Sequence, residues 1–339
     1  MNFVNEVYKI SVLVPIYGVE QYIERCARSL FEQTYQNLEY VFVNDCTPDR
    51  SMEILKQVLE NYPNRADAVK IINHNTNQGI AAARNTLLDA ATGDFVSMVD
   101  SDDWLETNAI EILAKSQLET NADLVSGNRI IHYHNGDSLF EEKKYSNKDK
   151  MIIQMMQYGW EHLFTGRLIR KSLFVDHGLR WKEGLNVAED RYMMTLLAYY
   201  AKGYDTIDDV VYHYERRNES SLTGNNNGIR LTKNSIQQLG NCLLSEQFFK
   251  DKESKFFKES TRCVMEQMDR CIKTSLAYSI KDSFYEIVRI IDSRSDDDLR
   301  LIGWKKNGIK GWYLHKYNTM RLGWLIKKTI HFTKRKIRC

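Results

Sequence analysis

No uninterrupted apolar run in the chain approaches the roughly 20 residues needed to cross a bilayer. A transmembrane helix of ordinary length is therefore not expected. The opening MNFVNEVYKI lacks the basic flank and apolar core of a secretory leader. The six cysteines, Cys26, Cys46, Cys242, Cys263, Cys271 and Cys339, lie far apart with no CxxC pair. Such spacing suits neither a zinc site nor a disulfide framework and points to a reducing compartment. No GxGxxG follows the first apolar segment, which disfavours a dinucleotide fold, and the absence of any GxxxxGK[ST] excludes a P-loop. Repeats and low-complexity tracts are missing, and proline is absent from Ile229 onward. Acidic residues are absent from Arg300 to Cys339, where twelve Lys or Arg occur. The remaining 299 residues hold 35 basic and 45 acidic side chains, so an acidic body carries a basic tail suited to a negative partner.

What is present is a soluble, globular composition, 43% hydrophobic and 27% charged over 339 residues, enough for one large domain or two ordinary ones. The first 125 residues alternate between two periodicities. KISVLVPIY (9–17), LEYVFVND, AVKIINH and DFVSMVD read as buried strands that end at polar residues or at Pro and Gly. Between them, Val19, Tyr22, Ile23, Cys26, Ala27, Leu30 and Phe31 follow the helical i, i+3, i+4 rule. Asp49 is a plausible N-cap for the next helix, and GIAAARNTLLDAATG reads as a helix closed by Gly93. A helix over 107–118 and a strand near 122–126 follow. Alternation of this kind predicts right-handed crossovers and a mostly parallel sheet covered by helices on both faces. Further on, helices are expected near 151–158, over GRLIRKSLF and from Asp190 to Gly203, with a strand in TIDDVVYHYERR. Beyond a boundary between 220 and 230 the chain reads as helical.

Ligands of such sheets bind outside the carboxyl ends of the strands, which here are Tyr17, Asp45, His74 and Asp100. In GDFVSMVDSDDW an apolar strand runs straight into Asp100, Asp102 and Asp103. Carboxylates this close repel unless a cation or hydrogen-bond donors lie among them, and their hard oxygens suit Mg²⁺ or Mn²⁺. Alone the DxD triplet is weak evidence, since Asp296–Asp298 shows how readily acidic runs arise. Its place at a strand end gives it weight, and Asp103 is expected to cap the helix that follows. Asp45 could accept an N–H from a pyrimidine base, or could be a turn aspartate before Pro48. Arg84 falls on the apolar stripe Ile80, Ala83, Leu87, Leu88, where its guanidinium needs carboxylates or a phosphate. A ligand role at that helix start is the favoured reading. Asp190, beside Glu189 in AED, is a candidate general base, although acidic residues there also complement the helix dipole. His213 could be a third metal ligand, a satisfied structural histidine being the simpler reading.

SVLVPIYGVEQYIERCARSLFEQTY, EYVFVNDCTPDRS, NQGIAAARNTLLDAATGDFVSMVDSDDW and AED together resemble, in order and spacing, the inverting nucleotide-sugar glycosyltransferases of family 2. The resemblance covers roughly residues 9–215. It implies a GT-A fold, with a nucleotide-binding half at 9–126, an acceptor-side half at 127–225 and a helical region at 226–339. It also implies a nucleotide-diphosphate-sugar donor, one Mn²⁺ or Mg²⁺, and transfer of a hexosyl or N-acetylhexosaminyl group. Carried over by position, Pro15, Tyr17, Glu20 and Gly79 would line the nucleotide pocket, Asp45 would bind the base and Arg84 would lie near the diphosphate or sugar. Asp100, Ser101 and Asp102 would hold the ribose and metal, and Asp190 would be the base. The pattern departs at Cys46 and Thr47, where Gly and Ser are usual, and at Thr86, where Gly is frequent. A sugar-phosphate nucleotidyltransferase is a rival, but VPIYGVEQY lacks the glycine-rich basic loop it would need. A silent glycan- or nucleotide-binding module is the other, disfavoured by the intact acidic set. Trp304, Trp312 and Trp324 among the basic residues of the tail fit a segment lying on anionic lipid. The expectation is a cytoplasmic protein, peripheral on the inner face of the membrane, extending a lipid-linked glycan for surface polysaccharide, with no nucleic-acid partner.

Overall fold

The computed structural model describes residues 8–157, 163–221 and 228–278, with Ile287 and Ile290. The chain divides into two compact units, Met1–Asn225 and Asn226–Cys339. In the first, β1 (Ile10–Ile16), β2 (Leu38–Asn44), β3 (Val69–Asn73) and β4 (Phe95–Met98) alternate with α1 (Ile23–Phe31), α2 (Ser51–Leu59) and α3 (Ile80–Ala90). There follow β5 (Trp104–Leu105), α4 (Ala109–Thr120), β6 (Leu124–Tyr133), β7 (Gly136–Phe140), α5 (Lys148–Met156), β8 (Arg167–Arg170), α6 (Ser172–Asp176), α7 (Glu189–Tyr200) and β9 (Tyr204–Glu215).

Among the described residues the nine strands form one sheet in the order β3-β2-β1-β4-β8-β6-β9-β5, with β7 hydrogen-bonded to β6. Its first part is parallel, β1 lying between β2 and β4 with Ile10 opposite Leu38 and Phe95. Beyond β4 the sheet is mixed: β8 joins β4 and β6 antiparallel, β6 runs parallel to β9, and β5 joins β9 antiparallel. The expected helix over GRLIRKSLF is therefore corrected to β8 followed by the short α6. Leu168 and Ile169 are buried between two sheet neighbours. For so short an apolar run, ladder pairing overrides a spacing that fits helix and strand alike. Strand β6 likewise extends to Tyr133 and forms a hairpin with β7, placing His132 in the ladder opposite Asp137.

Phe95, Val96, Met98 and Val99 are buried, and each contributes about 1.5–3 kcal/mol relative to an exposed side chain. That apolar anchor carries the chain into the turn at Asp100, where the Asp103 amide donates to the Asp100 carbonyl at 3.0 Å. In the second unit, α8 (Gly228–Phe249) and α9 (Ser254–Ala277) pack on each other, with Phe249 and Phe256 rings 5.4 Å apart. The Gln267 amide and the Cys271 thiol both donate to the Ser235 carbonyl across that pair. Among the described residues, no helix is long and apolar enough to cross a membrane. The basic tail from residue 300 lies outside them.

Candidate active site

Two chain segments about 90 positions apart bring acidic residues together around the guanidinium of a third. Arg84, 2% exposed on α3, pairs with Asp100 at 3.2 Å, with Glu189 at 2.5 Å and with Asp190. The guanidinium thus has the carboxylate partners that its place on an apolar stripe called for. Burial opposes the Arg84 charge, but Asp190, Glu189 and Asp100 overcome it and raise its proton affinity. Three carboxylates cannot all be offset by one cation. Burial, reinforced by Asp190 and opposed by Arg84, pushes the Glu189 carboxyl up to about 8, so Glu189 holds a proton at neutral pH. Burial likewise raises Asp100 against the pull of Arg84. Asp190, in the first turn of α7, keeps Oδ1 on Arg84 and accepts from the Phe164 amide through Oδ2 at 3.4 Å.

Local backbone geometry sets these groups in place. Ala188, just before α7, takes φ 58°, a left-handed conformation that costs a non-glycine residue about 1–3 kcal/mol and collects at functional sites. Gly79 opens α3 at φ 88°, and an added Cβ would lie 2.7 Å from the Asn186 carboxamide carbon. Only glycine lets the loop before α7 approach α3 this closely; Asn186 Oδ1 accepts from the Ala81 amide there.

Asp102 accepts from Asn218 Nδ2 at 2.8 Å, while its carbonyl accepts from Arg25 at 3.0 Å. Burial, then the charge of Asp100, pushes Asp102 up to about 6. Asp103 is 1% exposed and accepts from the Tyr212 hydroxyl at 2.6 Å and the Glu215 amide at 2.7 Å. The expected helix cap is thus corrected: Asp103 ties the acidic turn to β9, because two donors of that strand reach it, and α4 begins after Asn108. The Tyr212 hydroxyl also accepts from the Asp100 amide at 3.1 Å, so one tyrosine braces both ends of the turn.

Along the rim, Pro15 is buried at the end of β1, Tyr17 is 51% exposed, and Glu20 accepts from the Arg50 amide at 3.1 Å. Ser101 is buried within the acidic turn. Asp45 is 3% exposed and accepts from His74 Nδ1 at 2.7 Å and from the Gln78 and Gly79 amides at 2.9 and 2.8 Å. It anchors the loop that leads into α3. The three departures from the common pattern each find an account. Cys46 sits at φ 57°, where glycine carries no steric penalty. Thr47 Oγ1 accepts from the Gly18 amide, and Thr86 Oγ1 lies 3.0 Å from His74 Nε2.

His213, read as a satisfied structural histidine with a metal-ligand role as the alternative, has both ring nitrogens engaged, Nδ1 with His132 at 3.1 Å and Nε2 with Glu106 at 2.8 Å. Neither has a free lone pair for a cation, and no set of three His, Cys, Asp or Glu among the described residues is arranged to hold one. Two carboxylates remain. Asp100 Oδ2 has no hydrogen-bond partner among the described residues, and burial raises both Asp100 and Asp102. An oxygen-rich pair short of positive charge fits a hard dication that takes its other ligands from water and phosphate. Asn218, Tyr212 and Arg25 were not singled out in the sequence; their partners lie 77 to 116 positions away, beyond any local pattern.

Residues 11–178 match the model of glycosyl transferase family 2. Glycosyltransferase GlyG of Streptococcus pneumoniae is 31% identical over 226 residues, 63% of this chain and 72% of that protein. The chain belongs to glycosyltransferase family 2. Glycosyltransferase GlyA of the same organism is 35% identical over 184 residues, 49% of this chain. Family members differ in length: the chain spans only 26% of GlyA and 62% of the uncharacterized glycosyltransferase EpsJ of Bacillus subtilis. Among solved structures, Staphylococcus aureus TarS 1–349 in complex with UDP-GlcNAc superposes with a TM-score of 0.56 at 18% identity, covering 82% of this chain and 89% of that one. The mannosyltransferase PcManGT of Pyrobaculum calidifontis, with GDP-Man and Mn²⁺, gives 0.55 at 17% identity over 93% and 82%. The family 2 chain therefore has the GT-A fold.

Its acidic turn makes a pH prediction. A cation on Asp102 must displace the proton that this carboxyl holds below about 6. Mn²⁺ affinity is therefore expected to fall about tenfold between pH 7.5 and 5, as calorimetry at the two pH values checks. Without the cation the sign reverses for stability. An acid whose native value is raised favours the fold below its ordinary value, and this contribution fades as pH rises through about 6.

Proposed function

We propose that the protein is an inverting glycosyltransferase that moves a hexosyl or N-acetylhexosaminyl group from a UDP-sugar to a hydroxyl of a lipid-linked glycan in surface polysaccharide assembly. The observation that carries this reading is the Arg84 cluster, which joins Asp100 at the sheet's ligand edge to Asp190 at the start of α7. Donor-side and acceptor-side carboxylates thus share one buried cation. In the reaction, the acceptor hydroxyl gives its proton to Asp190 as its oxygen bonds to the anomeric carbon. The bond from that carbon to the β-phosphate oxygen breaks on the opposite face, and the nucleoside diphosphate leaves with the electron pair. Arg84 orients Asp190, and burial keeps the proton affinity of Glu189 high beside them. Asp100 and Asp102 would hold Mn²⁺ or Mg²⁺, which supplies positive charge to the departing diphosphate. Pro15, Tyr17, Glu20, Gly79, Asp45 and Ser101 are assigned to the nucleotide side, with Asp45 toward the base.

A panel of nucleotide sugars, scored by thermal shift with and without Mn²⁺, tests the reading. Cation-dependent stabilisation by a UDP-sugar is expected; a panel in which no nucleotide sugar shifts the melting temperature defeats it. The twelve basic residues from Arg300 onward support a position on the inner face of the membrane. Removing 300–339 is expected to abolish sedimentation with anionic liposomes, and equal sedimentation of both forms would end the membrane assignment.

A further inference from the structure

On the nucleotide side, three residues from separate elements form a hydrogen-bonded array. Asp45 and His74 directly follow β2 and β3, and Thr86 lies within α3. His74 Nδ1 is 2.7 Å from Asp45 Oδ1, and His74 Nε2 is 3.0 Å from Thr86 Oγ1. The Gln78 amide donates to Asp45 Oδ1 at 2.9 Å and the Gly79 amide to Oδ2 at 2.8 Å. A carboxylate only accepts, so the hydrogen of the Asp45–His74 bond sits on Nδ1. The Thr86 hydroxyl serves the far nitrogen in either state of the ring, donating to a bare Nε2 or accepting from a protonated one. With its side chain 7% exposed and both nitrogens bonded, the ring is held against Asp45. The backbone braces the same corner: the Asp45 amide donates to the Ile16 carbonyl at 3.0 Å, and the His74 amide to the Asn44 carbonyl at 2.9 Å.

The acceptor positions of Asp45 can be counted. Its two oxygens offer about four lone-pair directions. Donors fixed by the fold fill three of them, two on Oδ1 and one on Oδ2. Among the described residues no donor meets the remaining direction on Oδ2. Such a carboxylate has one opening and little freedom to turn. It suits a base edge that presents an N–H, as uracil does at N3. It opposes an edge with a lone pair at that place, as in cytosine, because neither acceptor then has a partner. Cytosine would be met only if the carboxylate pivoted toward the exocyclic amine, and the bond from His74 resists that pivot.

We propose that His74, held by Thr86, is a positioning residue that fixes Asp45 as a one-way acceptor and so selects a uracil over a cytosine base. The inference rests on the assignment of Asp45 to the base. It also gives Thr86 a task, since a glycine at that position would leave Nε2 without its partner.

Calorimetry of the full chain with UDP and with CDP, at one fixed Mn²⁺ concentration, tests this role. Wild type is expected to bind UDP about tenfold more tightly than CDP, the worth of one hydrogen bond to a charged group. His74→Phe keeps the bulk of the ring without its donor, so UDP affinity should fall about tenfold and most of the preference over CDP should vanish. His74→Asn places an amide nitrogen where Nδ1 stands and should restore most of both. Thr86→Val removes only the hydroxyl and should lower the UDP preference by an intermediate factor. A merely structural histidine would weaken UDP and CDP together and would gain nothing from asparagine. A wild-type preference in His74→Phe, or no recovery in His74→Asn, overturns the proposal. If His74→Phe does not fold, Thr86→Val decides, because an unchanged preference there would show that the ring has no hold on base choice. Equal binding of UDP and CDP by wild type refutes Asp45 as the base contact and the proposal with it. Binding of neither refutes the nucleotide-sugar reading itself.

Discussion

Asp190→Asn is expected to lower kcat by about 10²–10⁴-fold, the usual contribution of a positioned general base, while leaving donor binding nearly intact. The isosteric amide keeps one acceptor oxygen, enough for Arg84 or for the Phe164 amide but not for both, and it cannot take a proton from an alcohol. Glu189 does not rescue it. That neighbour is buried, bonded to Arg84 at 2.5 Å and holds its own proton up to about 8. Steady-state kinetics together with donor titration separate the two quantities. A variant with wild-type turnover would remove Asp190 from the base role, and one that loses donor affinity and turnover equally would place it in binding.

Arg84→Met is expected to cost about 3–5 kcal/mol, because breaking a buried ion cluster on one side leaves uncompensated charge. At about 2–4 °C per kcal/mol for a domain of this size, the melting temperature should fall by roughly 6–20 °C. The loss should depend on pH. Glu189 already carries a native value near 8 against an ordinary 4.5, so it favours the fold at low pH and loses that contribution as pH rises through about 8. Removing Arg84 also takes away the pull that opposes burial at Glu189 and Asp100, so the variant should be most unstable near pH 8 and recover toward pH 5.5. Thermal unfolding at those two values decides the matter: equal stability of wild type and variant at pH 8 would mean the cluster is not held by charge. Arg84→Lys should rescue only partly, since an ammonium cannot present two nitrogens in a fixed fork to three carboxylates.

Much of the nucleotide-side half could be read from local pattern. β1, β2 and β4 are apolar, β-rich runs that stop at polar or turn residues, and their alternation with amphipathic helices implies parallel crossovers. Asp45 and Asp100 therefore stand at strand ends in the sequence as they do in the fold. The short mixed strands resisted the same treatment. Four residues of β8 carry no period that separates strand from helix, and only its place between β4 and β6 makes it a strand. Charge pattern was similarly incomplete. Arg84 on an apolar stripe announced a need for partners, but Glu189 and Asp190 lie 105 and 106 positions away.

By itself, then, the sequence determined the parallel core, its ligand edge and the identity of the acidic residues gathered there. Those features depend on side-chain period and on turn residues, which act over a few positions. Tertiary structure decided the division of labour among these residues: Asp103 bound to β9, Arg84 neutralising carboxylates, and His213 paired with His132 instead of a cation. The reason is physical. A hydrogen bond or ion pair is fixed by which groups the folded backbone brings within about 3 Å of each other, and no spacing along the chain records that.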